Sequence, residues 1–233
     1  MNFDIITAFP EAFSYLNSSL LKRAQEKKLI SVKIWNLRDF TNDKRKTIDD
    51  RPFGGGPGMV LKIEPLYKAI KKIKKGKGIV ILTDAGGKQF NQDLAKKFSK
   101  EKQIIIICGH YEGIDERIKK FVDIQVSIGP YILTGGELPA MTIIDAISRH
   151  IEGVLGNSES LEEYREQYGA RIMPARSAEC AKKDIGRSVA VFTRPEIFET
   201  KDGKKLKVPK VLLSGDHKKI SEWRDKQSKN IEI

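Results

Sequence analysis

Four Gly-rich stretches of this sequence have the residue types and spacing of loops that bind a ligand or substrate. They are DDRPFGGGPGM at 49–59, TDAGGK at 83–88, CGHYEGIDER at 108–117 and SIGPYILTGGELPAM at 127–141. Glycine lets backbone groups approach a ligand without a Cβ in the way, and binding residues are concentrated on such loops. Taken singly, each stretch could be a plain turn. Together they predict one ligand pocket that several loops share.

None of the four loops carries a familiar phosphate-binding spacing. The dinucleotide fingerprint G-x-G-x-x-G and the P-loop pattern G-x-x-x-x-G-K-[ST] are both absent from them. Hydride transfer and NTP hydrolysis therefore lose their usual support in the sequence.

An alternation of strands and helices is predicted to position these loops. Helices are expected after Pro10, after Pro65 and from Leu138 to Ile151, where apolar residues recur every three or four positions. The apolar runs between them are typical of parallel strands covered on both faces, which predicts an α/β fold. Two Gly-rich loops directly follow such strands, where ligands bind in open α/β sheets. The predicted strands are 3–9, 30–35, 78–83, 103–108 and 123–128.

The helical pattern ends near residue 156, which predicts a domain boundary. Residues 157–190 are polar and weakly periodic, so we expect a long connection there. The segment PKVLLSGDHKKISEWRDKQS then predicts a short strand, a turn and a helix that Asp216 caps. The expected organisation is a main domain at 1–156, a linker at 157–190 and a small, mainly helical module at 191–233.

The composition favours a polyanionic partner. Lys plus Arg number 43 against 31 Asp plus Glu, a net charge of +12, and basic side chains release counterions from phosphates on binding. A generally basic, soluble surface would give a similar balance of charges.

Two cysteines cannot build a disulfide framework or a four-cysteine zinc site. Without a transmembrane-length apolar run or a signal peptide, the expected location is cytoplasmic.

Eight segments resemble a single protein family. FPEAF, RDF, DDRPFGGGPGM, CGHYEGIDER, SIGPYILTGGELPAM, GVLG, FTRPE and VLLSGDH look like the bacterial tRNA (guanine-37-N1)-methyltransferases, the TrmD family of the SPOUT class. The resemblance implies methylation of N1 of guanine 37 in tRNA, preceded by another guanine, with S-adenosylmethionine as methyl donor. It also implies a SPOUT-type parallel sheet with a deep trefoil knot, a homodimer with shared active sites, and Mg²⁺ as a further cofactor.

Carried over position by position, the family's cofactor pocket falls on the last three Gly-rich loops. Their backbone N–H and C=O groups could hydrogen-bond adenine and ribose, while apolar side chains enclose the ring. Gly135 and Gly136 could also serve only as the lead-in to a helix. The resemblance implies cofactor binding by Leu82, Thr83, Gly86, Gly109, Tyr111, Glu112, Ile128, Gly129, Tyr131, Leu133, Gly135, Gly136 and Pro139.

The first Gly-rich loop resembles the family segment that approaches the target nucleotide, which implies substrate binding by Asp50, Arg51 and Gly55. A guanidinium can pair with guanine or phosphate, and a carboxylate can accept from the N1 and N2 donors of guanine. The alternative is an Asp–Arg ion pair that fixes the loop, and one pair of residues could both fix the loop and bind the substrate.

His217 resembles a substrate-binding position in the C-terminal module, beside residues that could bind the anticodon stem. These are Lys218, Lys219, Trp223, Arg224 and Lys226.

Two catalytic groups are needed because guanine N1 carries a proton and is a poor nucleophile at neutral pH. A base must take that proton, and a cation should stabilise the negative charge that develops on O6. The family's arginine for the second role maps onto Arg149. Its aspartate for the first role falls on Tyr164, with Glu162 and Glu163 just before it.

At Tyr164 the sequence departs from the family pattern, which has an aspartate there. We favour Glu163 as the base, with Glu162 as the next choice, and with Glu166 and Asp184 behind them. These acids could also merely solvate a linker, in which case the protein would be a catalytically impaired homologue that binds cofactor and tRNA. His110 stands where the family usually has arginine, and Pro130 where it has aspartate. Both could change the contacts to the cofactor.

Overall fold

A computed structural model describes residues 1–155 and 190–229 of the chain. The strands of these ranges are β1 (Asn2–Thr7), β2 (Ser31–Asn36), β3 (Asp49–Asp50), β4 (Val60–Leu61), β5 (Ile79–Gln89), β6 (Gln103–Ile107), β7 (Ile124–Ser127), β8 (Ile197–Glu199) and β9 (Lys205–Lys207). The α-helices are α1 (Ser19–Glu26), α2 (Ile63–Ile73), α3 (Gln92–Phe98), α4 (Glu137–Ser148), α5 (Lys210–Leu213) and α6 (His217–Lys229). Short 3-10 helices span Pro10–Asn17, Leu37–Phe40 and Glu116–Phe121. No helix among the described residues is both long and apolar enough to cross a membrane.

Five strands form a parallel sheet at the centre of the fold, in the order β2-β1-β6-β5-β7. All five predicted strands are present in this sheet, so the predicted α/β class is confirmed. β5 extends past its predicted end because the chain bulges between Thr83 and Lys88 and then pairs with β7 again. The bulge holds the TDAGGK loop beside the sheet.

Alternating side chains of the strands build separate apolar cores on the two faces of the sheet. Ile104 and Ile106 of β6 pack in one core with Phe13 and residues of α4, while Ile105 and Ile107 pack in the other with residues of α2. This alternation follows from the two-residue period of a strand. It explains why residues 104–108, IIIIC, are apolar without interruption, since both faces of β6 are covered.

The helices follow the predictions with one interruption. Proline is tolerated in the first turn of a helix, and Pro65 lies there in α2. The segment after Pro10 is instead divided, because Ser18 is extended (φ −119°, ψ 160°) between a 3-10 helix and α1. The Ser18 hydroxyl donates to the carbonyl of Tyr15 at 2.6 Å, a local hydrogen bond that competes with helix continuation.

The predicted strand in the VLL segment is wrong, because Lys210–Leu213 forms the short helix α5. Three apolar residues are too few for their spacing to distinguish a strand from a helix. The helical turn buries Leu212 in a cluster with Ile220 of α6. The predicted cap is confirmed, since Asp216 Oδ1 accepts a hydrogen bond from the backbone N–H of Lys219 at 3.2 Å. The antiparallel pair β8–β9 was not predicted.

A buried ion pair ties the segment at 190–196 to the main body. The Arg117 guanidinium donates to both oxygens of Asp115, at 2.8 and 2.7 Å, and also to the carbonyls of Thr193 and Pro195, each at 2.7 Å. Asp115 accepts in addition from the backbone N–H of Thr193 at 2.7 Å. Asp115 is fully buried and Arg117 is 3% exposed. The two buried charges thus neutralise each other, and the same side chains hold the segment at 190–196 in place.

We expect Asp115→Asn to lower the free energy of unfolding by about 3–5 kcal/mol, because Arg117 would keep a buried charge without its partner. Urea unfolding at neutral pH measures this change. Glu222→Gln, at an exposed position, is the matched control and should change the free energy by less than about 0.5 kcal/mol. Equal effects of the two substitutions would contradict the structural role of the pair.

Candidate functional site

A cavity of about 600 Å³ lies at the carboxyl ends of β5, β6 and β7, and all four Gly-rich loops contribute to its wall. Its volume falls within the roughly 300–1,000 Å³ of small-molecule sites. Among the predicted cofactor positions, only Gly86 lies outside the lining. It is exposed in the bulge of β5, where its N–H donates to Asp84 Oδ1 at 2.9 Å. The lining includes Leu82, Thr83, Gly109, Tyr111, Glu112, Ile128, Gly129, Tyr131, Leu133, Gly135, Gly136 and Pro139.

A close crossing of two loops forms one wall of this cavity. The backbone N–H of Gly136 donates to the carbonyl of Gly109 at 2.7 Å, and Gly135 forms a bridge with His110. A Cβ on Gly136 would lie 2.8 Å from Cα of Cys108 and 2.7 Å from N of Gly109, and would also collide with Thr83 Oγ1. Gly136 caps α4 with an ordinary φ of −84°. Glycine is therefore required at position 136 because there is no room for a side chain, and not because of its backbone conformation.

The remaining walls combine apolar side chains with backbone polar groups. Leu82 lies in β5 just before its bulge, and Val126 and Ile128 lie at the end of β7. Leu133 and Pro139 flank the start of α4. Such walls suit a flat heterocycle, which needs apolar contact on its faces and hydrogen bonds at its edges.

Charged side chains occupy another part of the lining. Lys119 Nζ lies 3.0 Å from Glu116 Oε1 and 3.8 Å from Asp84 Oδ2. Burial raises the pKa of Glu116 above its ordinary value, although the hydrogen bond from Lys119 acts in the opposite direction. Within residues 1–155 and 190–229, no three His, Cys, Asp or Glu side chains are grouped so that they could hold a metal ion.

His110 lines the cavity and its ring packs on Phe9, with centroids 4.5 Å apart. Its Nδ1 lies 3.7 Å from Glu137 Oε2, and Glu137 Oε1 accepts from the Thr7 hydroxyl at 2.8 Å. The imidazole is thus held on the loop crossing. Pro130 is exposed and lies outside the lining.

The first Gly-rich loop is held by residues from the C-terminal part of the chain. Both oxygens of Asp50 accept from Nη1 of Arg194, at 3.0 and 2.9 Å, so an Asp–Arg pair does fix this loop. Arg51 is not the partner, since its backbone N–H donates to Asp50 Oδ1 at 2.8 Å and its side chain is exposed. Arg224 donates to the carbonyl of Gly55 at 2.7 Å. Gly55 and Arg224 both line the cavity.

Two further predicted residues, Arg149 and His217, lie outside the cavity lining. Arg149 is half-buried at the end of α4, and His217 is exposed at the start of α6. Glu162, Glu163 and Tyr164 lie outside the described residues, as does most of the predicted linker at 157–190.

Sequence reasoning missed Asp84, Glu116 and Lys119 as lining residues, and it assigned Arg224 only to the anticodon stem. The available signal was the spacing of Glu116, near the end of a Gly-rich loop, and Lys119, three residues later. A 3-10 helix places such residues on one face.

The chain matches a family model described as tRNA (Guanine-1)-methyltransferase TrmD over residues 1–232. A protein called tRNA (guanine-N(1)-)-methyltransferase from Dictyoglomus turgidum is 45% identical over 229 residues, covering 98% of this chain and 85% of its own length. Relatives with the same name are 47% identical in Carboxydothermus hydrogenoformans and 48% identical in Clostridioides difficile. These alignments cover 98% and 99% of this chain, and 83% and 94% of the respective relatives.

We expect Gly136→Ala to lower the free energy of unfolding by about 1–3 kcal/mol, because the added methyl group must displace packed backbone. Gly86→Ala is the matched control, since a Cβ there would meet only Asp84 Oδ1 at 3.6 Å. Urea unfolding of both variants measures the difference. A Gly136→Ala protein as stable as the control would contradict the close crossing.

Cys108 should be unreactive in the folded protein. Burial raises the pKa of its thiol well above the ordinary value, with a further contribution from Glu137, and only the thiolate is a good nucleophile. In a Cys180→Ser variant at pH 8, we expect alkylation of Cys108 to follow unfolding. Rapid alkylation of the native protein, measured by mass spectrometry, would show that the crossing opens readily.

Proposed function

We propose, because this chain belongs to the tRNA (guanine-1)-methyltransferase TrmD family, that it transfers a methyl group from S-adenosylmethionine to N1 of guanine 37 in tRNA. The match to the family over residues 1–232 carries this conclusion. The net charge of +12 agrees with a polyanionic substrate. A cytoplasmic location is part of the proposal.

The cavity fits the methyl donor. Its apolar walls, with Leu82, Ile128 and Leu133, suit adenine, and the Gly-rich loops offer backbone groups to its edge and to the ribose. S-adenosylmethionine, when bound, supplies an electrophilic methyl group on a sulfonium. We assign cofactor binding to the predicted positions that line the cavity, and the exposure of Gly86 argues against a direct contact there.

Guanine is proposed to approach the cavity along the first Gly-rich loop. Gly55 lies in the lining, and the exposed Arg51 side chain is available for phosphate or guanine. The ion pair with Arg194 supports an orienting role for Asp50. The exposed His217 and the lysines that follow it are proposed to bind the tRNA backbone.

Arg149 is proposed to stabilise the negative charge that develops on O6 of guanine while Glu163, or else Glu162, takes the N1 proton. A guanidinium stays protonated at every working pH, which suits the first role. A carboxylate acting as base must be ionised, so activity should rise with pH through the pKa of that group.

A trefoil knot at the cofactor site is proposed from the family. The hydrogen bond between Gly136 and Gly109, with the bridge of His110 and Gly135, supports a tight crossing of these segments. A homodimer with shared active sites is proposed as well. Its support is the exposure of large apolar side chains, since Ile132 on the cavity wall is 73% exposed and Leu138 of α4 is 57% exposed. The division at 157–190, with 191–233 as a tRNA-binding module, stays a prediction.

A requirement for Mg²⁺ is implied by the family alone. The described residues offer no group of three metal-ligating side chains, so we assign no step to this ion. An assay with EDTA tests the requirement.

Single-turnover methylation of a tRNA transcript with two guanines at positions 36 and 37 is the test of the function. The wild type should form 1-methylguanine at position 37, located by nuclease digestion and mass spectrometry. Arg149→Ala and Glu163→Gln should each lower the rate by about 10²–10⁴-fold, the usual contribution of one such group.

Glu159→Gln is the control for the loss of an acid in the same stretch, and its rate should match the wild type. An unaffected Glu163→Gln would move the base to Glu162 or to another acid. A wild type that binds S-adenosylmethionine and tRNA without turnover would support the impaired homologue.

A further inference from the structure

Three charged side chains form a compact cluster on the cavity wall. Lys119 lies between Glu116 and Asp84, at 3.0 and 3.8 Å from their oxygens. The side chains of Asp84, Lys119 and Glu116 are 18%, 28% and 30% exposed, so all three are largely withdrawn from water yet open to the cavity. Withdrawing ions from water costs free energy that their mutual attraction does not always offset.

The cluster is held in place by contacts with the surrounding fold. The backbone N–H of Glu116 donates to the carbonyl of Val191 at 2.8 Å, and the next residue, Arg117, is fixed in the buried pair with Asp115. One oxygen of Asp84 accepts from Gly86, while the other faces Lys119. The three head groups are therefore positioned before any ligand arrives.

The charges of the cluster do not balance within the cluster itself. Two carboxylates face one ammonium group, so a ligand group that carries only negative charge would be repelled. An α-amino-acid group carries one ammonium and one carboxylate. Its ammonium would meet the two acidic side chains and its carboxylate would meet Lys119, which leaves every charge with an opposite neighbour.

We propose that Asp84, Glu116 and Lys119 bind the α-amino-acid end of the methyl donor. This assignment rests on the proposed function. Leu82 and Thr83, which line the apolar part of the cavity, directly precede Asp84 in the chain. One strand end would thus serve both the nucleoside and the amino-acid part of the same molecule.

Binding of three related ligands tests this assignment without turnover. S-adenosylmethionine and S-adenosylhomocysteine carry the amino-acid group, whereas 5′-methylthioadenosine shares their adenosine and sulfur but lacks it. Isothermal titration of the wild type, Lys119→Gln and Asp84→Asn gives Kd for each ligand. We expect both substitutions to raise Kd about tenfold or more for the first two ligands and less than about twofold for 5′-methylthioadenosine. Lys119→Arg should recover part of the affinity.

Lys120→Gln is the matched control, because Lys120 is exposed next to Lys119 and lies outside the lining. It should leave all three Kd values unchanged. Similar losses for all three ligands in both variants would indicate a structural role and overturn the assignment. Unchanged affinities would also overturn it while the proposed function stands. A wild type that binds none of the ligands would refute the proposed function and the assignment together.

Discussion

The close contact between Gly136 and Gly109 is the constraint on which the ligand cavity depends. Their backbone hydrogen bond of 2.7 Å brings the start of α4 onto the end of β6, at a separation that leaves no room for a Cβ. Everything between Ile128 and Pro139 must then pass over the cavity, because both ends of that segment are fixed by the sheet and by α4. Arg149 is the C-cap of the same helix, so the crossing also sets where this guanidinium can lie.

The C-terminal part of the chain is joined to this centre by polar contacts. The buried pair of Asp115 and Arg117 receives the segment at 193–195, and Asp50 holds Arg194. Arg224 completes the connection by donating to the carbonyl of Gly55. Polar contacts of this kind require defined geometry, whereas apolar packing tolerates small shifts. The loop proposed to meet guanine therefore takes its position from residues far along the chain.

The sequence predicted features that arise from local pattern and missed those that arise from distant partners. The strands of the sheet were found because their apolar runs have a clear period and length. The VLL segment was misassigned because three residues define no period. The pair β8–β9 was missed although Asp202 and Gly203, a dipeptide common in hairpin turns, lie between the two strands. The alternative interpretation of Asp50 paired it with Arg51, its chain neighbour, but its partner is Arg194. Lys119 was missed for a similar reason, since its place on the cavity wall depends on the fold around Asp115.

The contact of Arg224 with the Gly54–Gly55 loop joins residues that are about 170 positions apart in the chain. Loop closure over such a separation is slow, and contacts of this range form late in folding. During synthesis the amino-terminal strands can pair early, but this part of the cavity wall must wait until the segment that carries Arg224 has been translated. A ligand that binds only the completed cavity would stabilise molecules with a complete cavity selectively, by an amount that grows with its concentration. The supply of methyl donor in the cell would then influence how many new chains escape proteolysis.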